Sequence, residues 1–187
     1  MRPTRTIVAI AGLVLAACEK ADTANNSAAT SDEAAEAAGD NTLAQGIDAS
    51  SRMGAALHAA GLDATLAGPG PYTVLAPDDA AFDKLPAGTL DTLMKPESRA
   101  QLTALLTYHV LPGTILAEDI GKAIDAGSGK TQLPTMGGGT LTAVKEGNAI
   151  VLTDGSGAKA RITQADEKLS NGVIHRVDAV LAPATPS

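Results

Sequence analysis

The stretch that decides the fold is Thr73-Val74-Leu75-Ala76-Pro77-Asp78-Asp79-Ala80-Ala81-Phe82. Thr73 to Ala76, with Tyr72 before them, are β-branched, aliphatic and aromatic enough to favour extended backbone. Pro77 has no amide hydrogen to donate to a sheet ladder, so it ends the strand. Asp78 and Asp79 then stand where the first N–H groups of a helix need acceptors, at a dipole end that favours carboxylates. A short helix through Ala80, Ala81, Phe82 and Leu85 follows. Capping is the plain role of the two aspartates; a catalytic carboxylate pair is the sharper alternative.

Upstream of this corner, Leu43, Ile47, Met53, Ala56, Leu57 and Ala60 form an apolar helical stripe broken near Asp48–Ser51. Ser50 or Ser51 is placed to cap the second piece and Gly61 to end it. Gly68-Pro69-Gly70-Pro71 is a turn cluster leading into the strand. Downstream, Pro96 suits the first turn of a longer helix whose Leu102, Leu105, Leu106 and His109 share a face, and Pro112-Gly113 ends it. Ala117–Ala126 reads as one more helix.

Beyond it the texture changes. Gly137-Gly138-Gly139 precedes Thr140–Val144, Gly147-Asn148 precedes Ala149–Thr153, and Gly155-Ser156-Gly157 precedes Ala158–Thr163. Short alternating runs separated by glycine turns predict an antiparallel meander. A last strand is expected over Val173–Leu181, closing at Pro183, with His175 on one face beside Val173 and Val177, and Arg176 and Asp178 on the other. Helices first and hairpins second argue for one α+β domain, residues 43–185, built on a sheet sandwich.

Composition narrows the function. Of 187 residues 44% are hydrophobic but only 2% aromatic, namely Tyr72, Phe82 and Tyr108. Single-stranded nucleic acid needs aromatic stacking platforms in a basic groove, whereas this chain carries a net charge of −7. From Leu43 onward the balance is still acidic, 11 basic residues against 15 acidic ones, so no nucleic acid is expected as partner. One cysteine allows no internal disulfide. With three dispersed histidines it makes no four-ligand zinc site either. No metal and no cofactor is expected.

That cysteine is Cys18, and its place gives it a role. Arg2 and Arg5 precede an apolar run, Ile7–Leu15, much shorter than the ~20 residues of a membrane span. Basic start, short apolar core and small residues make a secretory signal, residues 1–17. Leu15-Ala16-Ala17-Cys18 looks like a bacterial lipobox, in which the cysteine thiol receives diacylglycerol and becomes a membrane anchor. By resemblance to bacterial sorting rules, Glu19 favours the outer membrane. Residues 18–42 contain no large apolar side chain and read as a flexible acidic tether.

Three segments resemble a known family. Thr73–Phe82 resembles the first conserved box of fasciclin (FAS1) domains. Leu106-Thr107-Tyr108-His109-Val110-Leu111-Pro112-Gly113 is similar to the family's Tyr-His segment, and Asn171-Gly172-Val173-Ile174-His175-Arg176-Val177-Asp178 opens a match to its second box. Order and separation also fit. The resemblance implies an antiparallel β-sandwich wedge flanked by helices, used in adhesion and surface contacts by secreted or lipid-anchored proteins. Two positions depart from the pattern: Asp78 stands where Ser or Thr is usual, and Leu75 where Phe is common. Animal relatives are recruited by integrins through the Tyr-His segment and an acidic-hydrophobic stretch before the second box. Here that stretch, Gln164–Lys168, keeps Asp166 but lacks the apolar residues.

The motif residues Asp78, Asp79, Phe82, Tyr108, His109, Asn171, Gly172, His175 and Asp178 are therefore expected to be mainly structural, with no catalytic residue among them. A buried imidazole must find partners for both nitrogens, and for His109 a capping aspartate is the expected one; His58 is expected to be partly exposed. Serine hydrolysis would need a Gly-x-Ser-x-Gly elbow, which is missing, and no Gly-Lys-Ser/Thr follows Gly137–Gly139 to make a phosphate loop. The sequence reads as a lipid-anchored, monomeric cell-envelope domain for adhesion or protein–protein interaction, facing the periplasm or exterior, its partner an unknown protein or cell-surface ligand. The alternative is a periplasmic small-ligand binder or hydrolase using Asp79, His109 and His175.

Overall fold

The computed structural model describes residues 40–183. The signal, the lipobox with Cys18 and nearly all of the tether lie outside them, as do residues 184 and 185. Helices α1 (Leu43–Gly46), α2 (Arg52–Ala60) and α3 (Asp63–Ala67) come first. Ser51 caps α2 by accepting the Gly54 N–H, and Gly61 ends it at φ 74°, as the stripe and its flanking residues predict. Strand β1 (Tyr72–Pro77) runs into α4 (Asp79–Asp83), with the Asp78 carboxylate accepting the Ala81 N–H at 2.7 Å. Helix α5 (Thr89–Leu93) follows. Pro96 opens a single 3₁₀ turn, Pro96–Ser98, before helix α6 (Arg99–Tyr108), so the expected longer helix starts three residues later.

Two short strands were not legible. Residues 110–113, read as a helix end, hold β2 (Val110–Pro112), and β3 (Lys130–Pro134) follows α7 (Ala117–Ala126) directly. Each is too brief to show a period of two, and Val110 and Leu111 continue the apolar texture of α6. The glycine-punctuated hairpins appear as β4 (Thr140–Glu146), β5 (Ala149–Thr153) and the long β6 (Lys159–Leu169). The last strand, β7 (Gly172–Val177), stops short of the expected Leu181. Asp178 ends it by turning its carboxylate onto the Arg161 N–H at 2.7 Å.

The seven strands form one sheet ordered β2-β1-β7-β6-β5-β4-β3. All its pairings are antiparallel except one: β1 and β7 run parallel, with Leu75 opposite His175. The α+β class stands, with a mixed sheet in place of an all-antiparallel one. Its two edges nearly close on each other, because the Met136 N–H after β3 donates to Val110 O on β2 at 2.7 Å.

Parallel strands are usually covered on both faces, and here each face of the β1/β7 pair meets its own core. Val74 and Ile174 point into a helical core with Met53, Leu57, Phe82 and Leu106. Leu75 and Val177 point the other way, to Tyr108, Ile120, Ile124 and Leu141 inside the curved sheet. Val173, Ile174 and His175 are accordingly all buried, with Ile174 and Val177 on the opposite faces that the strand's alternation predicts. Leu75, in a position where Phe is common, is fully buried in the second core.

Candidate functional site

Asn171 and Gly172 open β7 at the point where the helical layer meets the sheet. The Asn171 carboxamide oxygen accepts the Leu43 N–H at 2.8 Å, and its NH₂ donates to Leu66 O and Gly68 O at 2.7 Å each. One amide thus joins the start of α1, the end of α3 and the turn into β1. Its own carbonyl accepts the Tyr72 N–H. Gly172 lies so close to the Tyr72 carbonyl that a β-carbon would collide with it.

At the strand-to-helix corner the two aspartates divide the work. Asp78 caps its own helix, and Asp79 reaches across to accept the Arg52 N–H at 2.9 Å, at the start of α2. Arg52 returns the contact through an ion pair with Asp83. Two helix N-termini are satisfied by adjacent carboxylates, which is what the dipole at each end favours. Phe82 is buried in the helical core beneath them.

Tyr108 and His109 end α6, and both face inward, 1% exposed. The Tyr108 hydroxyl donates to Thr140 O at 3.3 Å and accepts from Gly155 N–H at 3.4 Å. Burial pushes the phenol's pKa up. Gly139, in the β3–β4 turn, packs flat on the Tyr108 ring, where a side chain has no room, so the Gly137–Gly139 run is a turn shaped by this contact.

The His109 Nδ1–H donates to Leu105 O at 2.8 Å, and Nε2 accepts the Leu181 N–H at 3.0 Å. The expected aspartate partner is therefore replaced by two backbone groups. Complete burial lowers the pKa of this imidazole to about 4, which keeps the neutral tautomer that both bonds require.

His175 is fully buried on β7. Its Nε2–H donates to Ile115 O at 2.8 Å, while Nδ1 accepts the Asp166 N–H at 3.1 Å. Desolvation lowers its pKa as well. His109 and His175 lie near each other across the sheet, since Leu75 N–H donates to His109 O and Leu75 sits opposite His175. Yet all four ring nitrogens are engaged by backbone groups, and Asp79 is committed to Arg52. Among the described residues no group of three or more His, Cys, Asp or Glu side chains is placed to hold a metal ion. His58 is largely exposed, its Nδ1 3.1 Å from Asp63.

Other residues with similar duties escaped the sequence reading. Thr73 is buried, donates its hydroxyl to Gly113 O at 2.7 Å and accepts the Ile115 N–H at 2.9 Å. Asp154, also buried, accepts from Ser156 N–H and Ala158 N–H in its own turn and from the distant Ala182 N–H at 2.9 Å. Its Asp-Gly-Ser-Gly context signalled the turn; nothing local signalled Ala182.

One surface feature stands apart from this internal network. Leu57, Leu62, Leu66, Tyr72, Val110 and Met136 line a small open cleft, with Thr65 and Thr107 also in its wall. Met136, 48% exposed at its rim, is the one large hydrophobic side chain exposed among the described residues.

The frame just described is that of a known family, whose Fasciclin domain model matches residues 48–183. This chain belongs to the fasciclin family. Protein sll1483 of Synechocystis is 36% identical over 174 residues, spanning 92% of this chain and 89% of that protein. The transforming growth factor-beta-induced protein ig-h3 of Sus scrofa is 38% identical over 130 residues; the match covers 69% of this chain and 17% of ig-h3. Immunogenic protein MPB70 of Mycobacterium bovis is 34% identical, over 61% of this chain and 51% of its own length. A solved FAS1 domain pair from the insect cell adhesion molecule fasciclin I aligns with a TM-score of 0.48 at 22% identity, covering 68% of this chain and 40% of that one. The chain thus carries one fasciclin domain where ig-h3 is several times longer.

Proposed function

We propose that this chain is a lipid-anchored fasciclin domain of the bacterial cell envelope, exported and held through Cys18, that mediates adhesion or protein–protein contact. One observation carries this reading. Asn171, His109 and His175 of the family motifs turn their polar groups inward onto backbone groups and Asp78 and Asp79 serve as helix caps, while the apolar cleft rimmed by Met136 faces outward. The motifs build a rigid frame, and recognition falls to the surface. Exposed apolar side chains in a concave setting are the ordinary material of protein contacts. The hydrolase alternative would need an imidazole nitrogen free to take a proton from substrate, and both nitrogens of His109 and of His175 are in use; Asp79, exposed, has one carboxylate oxygen on the Arg52 N–H. Asp166, which an integrin-type contact would present, has its carboxylate on the Ala117 N–H at 2.8 Å.

The test has two arms. Palmitate labelling should mark the wild-type chain and not Cys18→Ala; an unlabelled wild type would refute the anchor. A photo-crosslinker at Met136 should capture a defined envelope partner, whereas one at the exposed Asp91 should not. Equal capture from both positions, or none from Met136 together with unchanged cell attachment in a deletion strain, would refute the contact role.

A further inference from the structure

His175 is buried between two backbone segments and beside a carboxylate already in use. Because the Asp166 N–H points at Nδ1, that nitrogen must be an acceptor, and the single ring proton sits on Nε2, facing Ile115 O. Asp166 lies in the β6 bulge, where the pairing with β7 shifts register between Gln164 and Glu167. Its backbone is left-handed, φ 61°. Its carboxylate Oδ1 accepts the N–H of Ala117, the first residue of α7, at 2.8 Å, and stands 3.9 Å from His175 Nδ1.

We propose that His175, Asp166 and Ala117 form an acid-operated latch, in which a second proton on the imidazole draws the Asp166 carboxylate off the helix amide and frees the β6 bulge from the Ile115–Ala117 corner. A proton from solvent bonds to the Nδ1 lone pair, and the new N–H then meets the Asp166 N–H, donor against donor. The carboxylate within reach of it is Asp166 Oδ1, which also supplies the charge that a buried imidazolium needs. To reach the ring it must leave Ala117. The bulge provides the freedom, since its ladder is already interrupted.

The other charges around the ring are occupied. Arg176, next on β7, pairs with Glu167 at 3.2 Å. In the first turn of α7, Glu118 pairs with Lys122 at 2.7 Å, and Asp119 accepts the Leu116 N–H at 3.3 Å. On β1 the neighbour is Leu75, and the nearest acid along that strand, Asp78, caps α4. Burial makes the imidazole harder to protonate and Asp166 partly offsets this, so the latch opens below the ordinary histidine range of about 6.5. His109 differs in its surroundings: among the described residues no carboxylate oxygen lies within ion-pair distance of its ring, and the Asp154 charge that acts on it is held by the Ser156, Ala158 and Ala182 amides.

Amide hydrogen exchange by NMR on the full-length chain tests this, with the His175 ring carbons followed in the same titration. The protection of the Ala117 and Asp166 amides should fall roughly tenfold, an ordinary size for coupled sites, at the midpoint of His175, while the Leu181 amide on His109 stays protected. Asp166→Asn keeps an acceptor for Ala117 and tolerates the left-handed backbone, but it cannot neutralise the imidazolium. In that variant the His175 midpoint should move to lower pH and Ala117 should stay protected through the wild-type midpoint. Ala117 protection that ignores the His175 titration in the wild type, or that is lost at the same pH in Asp166→Asn, would overturn the latch.

Discussion

The ring of His109 accepts the backbone N–H of Leu181 at 3.0 Å, a contact spanning 72 residues. Asp154 holds the next amide along, Ala182 N–H, at 2.9 Å. Together they pin the C-terminal segment across the mouth of the second core, where Leu181 is fully buried. The family's Tyr-His segment is, in this chain, a clamp on the chain's own end.

That clamp should make stability sensitive to acid. The folded-state pKa of His109 lies below its unfolded value, so the unfolded chain binds the proton more readily. Its contribution is complete above about 6.5 and is lost as pH falls towards about 4, where the folded imidazole itself titrates. The loss should amount to about 3 kcal/mol for this group. Urea midpoints measured across this range should fall steadily in the wild type and much less in His109→Gln, compared with its own value at neutral pH. Parallel curves for the two proteins would refute the clamp's role.

Asn171 should be among the least replaceable surface-layer residues. Alanine there leaves Leu66 O, Gly68 O and Leu43 N–H without their partner, at a cost of about 2–4 kcal/mol. Asn171→Asp retains the acceptor but sets a carboxylate against two carbonyl oxygens, and should be at least as damaging. Denaturant unfolding ranks the two; an aspartate variant as stable as wild type would contradict the assigned orientation of the amide.

For Asp78, a helix cap with one short bond to Ala81 N–H, replacement by alanine should cost about 1 kcal/mol. Serine, the commoner residue at this place in the family, should recover most of that in the same thermal scan. A serine variant no better than alanine would mean the carboxylate acts by charge and not as a cap.

Gly139→Ala drives a methyl group against the Tyr108 ring. Overpacking of this kind costs about 1–3 kcal/mol. Tyr108→Phe removes only two long hydrogen bonds, at 3.3 and 3.4 Å, and should cost about 1 kcal/mol or less. If Gly139→Ala in a Tyr108→Leu background is as costly as alone, the ring is not the obstacle; calorimetry of the single and double variants decides.

Much of the frame was legible because its determinants are local. Strand, proline stop and aspartate cap occur within ten residues, and Ser51 and Gly61 bracket α2 just as clearly. The short strands β2 and β3 were not legible, since three to five residues cannot display a period, and their pairing is what makes them strands. The His109 partner was misjudged for a related reason. A capping aspartate is a visible candidate in the sequence, whereas Leu181 N–H becomes a candidate only after the chain has closed on itself.

By itself the sequence determined the order of helices and hairpins, the family to which the domain belongs, and its acidic, aromatic-poor composition. Local propensity, capping and composition act over a few residues and survive without the fold. Only the tertiary structure decided that β1 and β7 run parallel, that Asn171 joins three segments, and that His175 shares a corner with Asp166 and Ala117. Each of these depends on which distant backbone groups lose their water on burial and must be given a partner inside the protein.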